Sequence, residues 1–195
     1  MSVPLRARAS VPQSLVRVAG KAQAPGAARF SEWLRADAET QKIMATAPIG
    51  WVDEVPFIQL LTTAHQRLGD DAYVLAVHDA SMLMLKTGIM RAAQSAFLLF
   101  KKPGLSAYAK WAQRIWGISF QGLALVYHSD DQGDGIGMVL SNPPASGFTK
   151  PLVLGTVGIL QTVFTLARLP GQTHALAYRT DDAEVQFRLR AGAKA

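Results

Sequence analysis

The chain has 195 residues, 49% of them hydrophobic and 17% charged, which is the balance of a globular protein and too apolar for a disordered one. It contains no cysteine, so disulfides, zinc–thiolate sites and thiol nucleophiles are excluded. The formal charge is +6, but it is uneven: residues 1–29 carry Arg6, Arg8, Arg17, Lys21 and Arg29 and no acid, which leaves the remainder near balance and without a general basic surface for nucleic acid.

Residues 1–29 are rich in Ala, Pro, Arg, Ser and Val and read as a flexible basic tail. The scattered arginines are also the composition of an organellar transit peptide, while the apolar stretch of a secretory signal is missing. As a tether, the five cations would meet an anionic surface, a nucleic acid or a protein partner. Residues 30–195 are expected to form a single domain, its length being sufficient for a proper core. No stretch approaches 18 consecutive apolar residues, so no membrane span is predicted and the expected location is cytoplasmic.

In the domain, residues 30–47 read as a helix with Ser31 as a cap and Phe30, Trp33, Leu34, Ile43 and Met44 as apolar positions. Pro48-Ile49-Gly50 ends it. Residues 51–68 follow, with Asp53 and Glu54 at the start, Phe57, Leu60 and Leu61 inside, and Gly69 as the stop. Asp70 caps a helix over 71–87. Residues 89–101 carry a stripe of Met90, Ala93, Phe97 and Phe100, closed by Lys101-Lys102-Pro103-Gly104. Ser106 caps a further helix through Trp116, with Tyr108, Trp111 and Ile115 along it.

The rest is organised around residues 152–168, LVLGTVGILQTVFTLAR. Val153, Val157, Leu160 and Phe164 recur at helical spacing, and Ile159, Val163 and Leu166 widen the apolar arc. Gly155 and Gly158 each cost about 1 kcal/mol against Ala in a helix, so they predict close approach to another backbone. Pro151 suits the helix entrance, and Pro170-Gly171 stops it. Residues 118–128 and 136–140 read as strands around a turn; so do 174–179 and 184–190. In the last, Val185, Phe187 and Leu189 alternate with Gln186, Arg188 and Arg190, the pattern of a strand with one wet face. This gives a β-β-α-β-β unit with an antiparallel sheet, and helices followed by strands argue an α+β class. An outer strand at 184–190 could pair with its mate in a homodimer.

Chemistry-bearing residues are sparse. His78, among Val74, Leu75, Ser81 and Met82, can be an axial ligand to haem or a core histidine held by one hydrogen bond. His65 reads as surface, and His128 and His174 lie at strand ends. Asp130-Asp131-Gln132-Gly133-Asp134-Gly135 imitates a calcium loop, but position twelve is Ser141 and the flanks are strands, so a hairpin turn explains it. Asp181, Asp182 and Glu184 fall in or beside a turn and read as solvated. Trp111, Arg114 and Trp116, with Lys101 and Lys102 nearby, form a partner surface if they face outward; aromatics at this spacing otherwise pack in a core.

The runs WAQRIWGISFQGLALVYHS, PLVLGTVGILQTVFTLA and ALAYRTDDAEVQFRLR, with the Leu68-Gly69-Asp70-Asp71-Ala72 boundary, resemble a family of myxobacterial paralogues of unknown function. More distantly, residues 55–190 are similar to haem-NO-binding and vinyl-reductase-type small-molecule-binding domains. The resemblance implies an α+β domain with a helix-lined pocket against the sheet, used for sensing or binding. The Tyr-x-Ser-x-Arg motif that holds haem propionates in the gas sensors has only a partial counterpart, since Tyr127-His128-Ser129-Asp130-Asp131 has Asp in the place of Arg.

These readings predict a non-enzymatic binding or regulatory module for a protein partner or an apolar small ligand, with no catalytic residue, metal or resident cofactor. The alternatives are a haem or tetrapyrrole sensor that uses His78, and a binder of anionic surfaces or nucleic acid that uses residues 1–29.

Overall fold

The computed structural model describes residues 3–19, 27–86, 104–129 and 135–192; the helix expected over 89–101, Lys21, Lys101, Lys102 and the acidic run 130–134 lie outside them. In order the elements are β1 (Arg6–Arg8), α1 (Ser10–Ala19), α2 (Ala27–Ala36), α3 (Ala38–Ala45), β2 (Trp51–Asp53), α4 (Glu54–Leu68), α5 (Asp70–Leu85), α6 (Leu105–Ser119), β3 (Phe120–Gln121), β4 (Ala124–Ser129), β5 (Ile136–Ser141), α7 (Lys150–Ala167), β6 (Gly171–Ala175) and β7 (Glu184–Ala191). The class is α+β, with two antiparallel sheets.

The larger sheet has the order β4-β5-β7-β6. Its strands obey the period of two: Ile136, Met138 and Leu140 on β5 and Val185, Phe187 and Leu189 on β7 are buried, while Gln186 and Arg190 face outward. The helix α7 covers the inner face, contributing Leu152, Val153, Leu160, Val163 and Phe164 to the core. By length and composition α7 could cross a membrane, but 56% of it is buried within this domain as its core helix.

The glycine expectation holds. A Cβ on Gly158 would lie 2.6 Å from the Val74 carbonyl oxygen and 3.0 Å from Val77 Cβ, so only glycine lets α7 approach α5 this closely. A Cβ on Gly155 would lie 3.1 Å from the Tyr73 hydroxyl, which donates to the Pro151 carbonyl at 2.9 Å.

Several boundaries differ from expectation. The helix read over 30–47 is two helices, because the Asp37 carboxylate accepts from the Thr40 backbone N–H at 2.7 Å and starts α3. The run 118–128 begins inside α6 and then divides into β3 at Phe120–Gln121 and β4 from Ala124, which belong to different sheets. Strand 174–179 lies earlier, at Gly171–Ala175, where the Gln161 side chain accepts from Thr173 N–H and donates to the Gly171 carbonyl. The strand proposed for homodimer pairing, β7, is not an edge, since β5 and β6 take both its sides.

The largest correction concerns the tail. Residues 5–19 are part of the core: β1 is the middle strand of the sheet β2-β1-β3, and Leu5, Ala7, Ala9, Leu15 and Ala19 are buried. Gln13 is buried on α1 and donates to the carbonyls of Ile43 (2.9 Å) and Thr46 (2.7 Å), satisfying the end of α3. Gly122, at φ +77°, lets the chain from Val3 and Pro4 pass within a distance that no Cβ would permit.

Candidate functional site: a cavity between five helices

The sequence folds so that α1, α4, α5, α6 and α7 enclose an apolar cavity. Its walls are Val11, Pro12 and Leu15 from α1, Phe57 and Leu61 from α4, Val77, Ala80, Ser81, Met84 and Leu85 from α5, Trp111, Ala112, Ile115, Trp116 and Ser119 from α6, and Leu152, Gly155, Thr156, Ile159 and Thr162 from α7. Amphipathic spacing explains the convergence: each helix turns its apolar stripe inward, and the stripes meet where small residues, Ala80, Ala112 and Gly155, leave room. The space for a molecule inside is about 60 Å³.

Two tryptophans dominate the α6 wall. Trp116 is buried, donates its indole N–H to the Leu123 carbonyl at 2.9 Å, and lies 4.3 Å from the Phe120 ring centre. Trp111 is buried beside Met84, Leu85 and Ile115. The expected partner surface of Trp111, Arg114 and Trp116 is thereby corrected: both indoles face the interior, and only Arg114 is exposed. The physical reason is the helical spacing itself, which puts Trp111 and Ile115 on one stripe with Tyr108.

The other candidates are elsewhere. Arg6 pairs with Asp53 at 2.8 Å, and Arg8 lies 3.8 Å from the Trp51 ring centre while donating to the carbonyls of Ile49 and Ile118. Both are therefore built into the small sheet, not held out as tail cations; Arg17 is exposed on α1. Arg29 lies on α2.

His78 does not face the cavity. Its Nδ1 is 2.9 Å from Asp79 Oδ1 and its Nε2 is 2.9 Å from Thr165 Oγ1, so both ring nitrogens are taken at the outer seam of α5 and α7. Tyr127 places its hydroxyl 2.8 Å from Ser106 Oγ, on the α6–β4 contact. Among the described residues no group of His, Asp or Glu could hold a metal ion. Asp181 and Asp182 are solvated turn residues bonded to Arg179, as read from sequence.

Within the cavity, sequence reasoning missed Ser119. It is 2% exposed, and its hydroxyl has no hydrogen-bond partner among the described residues. The other wall hydroxyls donate back to their own helices: Ser81 to Val77 (2.8 Å), Thr156 to Leu152 (3.0 Å) and Thr162 to Ile159 (2.6 Å).

No family model matches the chain, and no curated protein matches it. Solved structures do match in fold. An Fe(II) unliganded H-NOX protein from K. algicida has 9% identity and a TM-score of 0.63, over 96% of this chain and 97% of that one. A mutant H-NOX from T. tengcongensis has 9% identity and a TM-score of 0.58, over 94% of this chain and 97% of that one. A further structure, from work on haem redox potential and porphyrin distortion, has 9% identity and a TM-score of 0.58, over 94% and 98%. The distant similarity to haem-NO-binding domains is thus present at the level of fold and extends over nearly the whole chain. The expectation of no cofactor is corrected by this likeness, since the names of the matching proteins speak of haem and Fe(II).

A histidine-ligated haem does not fit the cavity walls among the described residues. The chain's four histidines all lie off the cavity, as do its four tyrosines, and among the described residues no Arg or Lys lines it to meet a propionate. Among the described residues, Met84 is the wall's side chain of a type that ligates haem iron.

Proposed function

We propose that the chain is a non-enzymatic sensor or regulatory domain that takes a small ligand into the cavity between α1, α4, α5, α6 and α7. The observation that carries this is the cavity itself: an apolar, largely pre-formed space between helices, in a fold shared with haem domains. Its walls of Trp, Phe, Leu, Met, Ala and Thr suit an apolar ligand, and among the described residues they place no acid–base pair at a reacting centre. Haem is the group that the similar structures name, and an absorbance spectrum tests for it directly, although the described walls do not suit it.

A sensor must pass its state on, and a protein partner belongs to this reading. The exposed Ile49 (69%) and Ile118 (42%) lie on either side of Arg8 and Trp51, the mixture of apolar and Arg/Trp side chains that carries interface energy.

The test is to purify the full chain from cells and record its absorbance spectrum and, by mass spectrometry, what it retains. A retained molecule, coloured or not, that is lost in an Ala112→Leu variant of normal fold supports the reading. A ligand that stays bound when the cavity is filled overturns it.

A further inference from the structure

We infer that the cavity is a site for a neutral, mainly apolar small molecule with one hydrogen-bonding group, anchored by the Ser119 hydroxyl. This rests on the cavity being the ligand site and names the class of ligand. The first argument is charge. No formally charged side chain lines the cavity among the described residues, so a carboxylate or phosphate inside would be desolvated without a partner.

The second is the accounting of polar groups. A buried hydroxyl without a partner is costly, and helical Ser and Thr avoid this by bonding back to a preceding carbonyl. Ser81, Thr156 and Thr162 do so; Ser119 does not. Among the described residues the wall therefore holds one hydroxyl without a partner. Thr149 and Thr173 also have unpartnered hydroxyls, but neither lines the cavity.

The third is shape. The indole N–H of Trp116 is already taken by Leu123, so near Ser119 the rings of Trp116 and Phe120 offer apolar surface only. A polar head on Ser119 and an apolar body against these rings would satisfy the whole site. The space of about 60 Å³ limits that body to a few heavy atoms, the range of short-chain alcohols, aldehydes and ketones.

The experiment uses the full chain and two probes. Xenon occupies apolar cavities without hydrogen bonds, and 1-butanol adds one hydroxyl. Binding is followed by the NMR shift of the Trp116 indole N–H. In the native protein both probes should move this resonance. Ser119→Ala should weaken 1-butanol about fivefold and leave xenon unchanged, and Ser119→Thr should restore 1-butanol. Ala112→Leu should remove both. An unchanged 1-butanol affinity in Ser119→Ala, with xenon still bound, overturns the anchor while the cavity remains a binding site. Failure of both probes in the native protein overturns the site as well. A haem absorbance band that Ala112→Leu abolishes keeps the cavity and overturns the neutral ligand.

Discussion

The two sides of α7 are packed in opposite ways. Toward α5 the backbones touch: Gly158 faces the Val74 carbonyl, the Tyr73 hydroxyl bonds to Pro151, and His78 reaches Thr165 further along the same seam. Toward α1 and α6 the same helix presents Thr156, Ile159 and Thr162 to an unfilled space. One helix thus seals against a neighbour on one side and lines a cavity on the other. Under the proposed function, the close-packed seam would hold one wall of the cavity in place while the other wall admits a ligand.

The seam is the place to break the molecule. In Gly158→Ala the new Cβ meets backbone, which cannot yield, and the expected loss is about 2–3 kcal/mol despite the better helix propensity of Ala. Urea unfolding of the variant against native protein measures this; a neutral or stabilising result would mean the helices are not in backbone contact. Tyr73→Phe comes next. Burial pushes the Tyr73 phenol pKa well up, so the group is a neutral donor at all relevant pH, and its removal should cost about 1–2 kcal/mol by the same measurement.

The open side should respond with the opposite sign. Ser119→Ala removes an unpartnered buried hydroxyl and should stabilise the empty protein by about 1 kcal/mol, while weakening a ligand that uses it. Gly117→Ala, on the solvent side of α6 with nothing within 4 Å of the new methyl, should gain at most about 1 kcal/mol from helix propensity. Thermal unfolding of these two variants beside Gly158→Ala separates the sealed side from the open one.

Periodicity made the seam legible and long-range pairing hid the rest. The spacing of Val153, Val157, Leu160 and Phe164 and the alternation of Val185, Phe187 and Leu189 are local patterns, and both elements form where they were read. Gly155 and Gly158 announced a close neighbour because nothing else justifies glycine in an apolar helix. Residues 5–19 failed for the complementary reason. Their Pro, Ala and Arg composition is that of a tail, and their burial depends on β2 and β3, on carbonyls at Ile43 and Thr46, and on Gly122. The cavity was foreseen as a helix-lined pocket only through family resemblance. Ser119 could not be foreseen, because an unpartnered hydroxyl is defined by what surrounds it. His78 stayed open between a haem ligand and a hydrogen-bonded core histidine, since an apolar sequence neighbourhood does not say which way an imidazole turns.

The smallest expected effect lies at the start of the seam. Asp70 opens α5 and Lys150 opens α7, and their side chains meet at 2.7 Å; His65 Nε2 lies 2.7 Å from the other carboxylate oxygen. The bond from Lys150, and then that from His65, hold the Asp70 carboxyl below its ordinary value of 3.8. Folding therefore favours the ionised form. The stability this adds is complete above about pH 4 and is lost as acid carries the pH below that value, through the lowered one. Because the pair is half exposed, the contribution should stay under about 1 kcal/mol and shrink with salt. In urea titrations Asp70→Asn should unfold earlier than native protein at about pH 7, and the gap should narrow steadily as the pH is taken below about 4. A gap that persists in acid would mean that Asp70 acts on the start of α5 by hydrogen bonding in either protonation state, and that the ion pair does not clamp the seam.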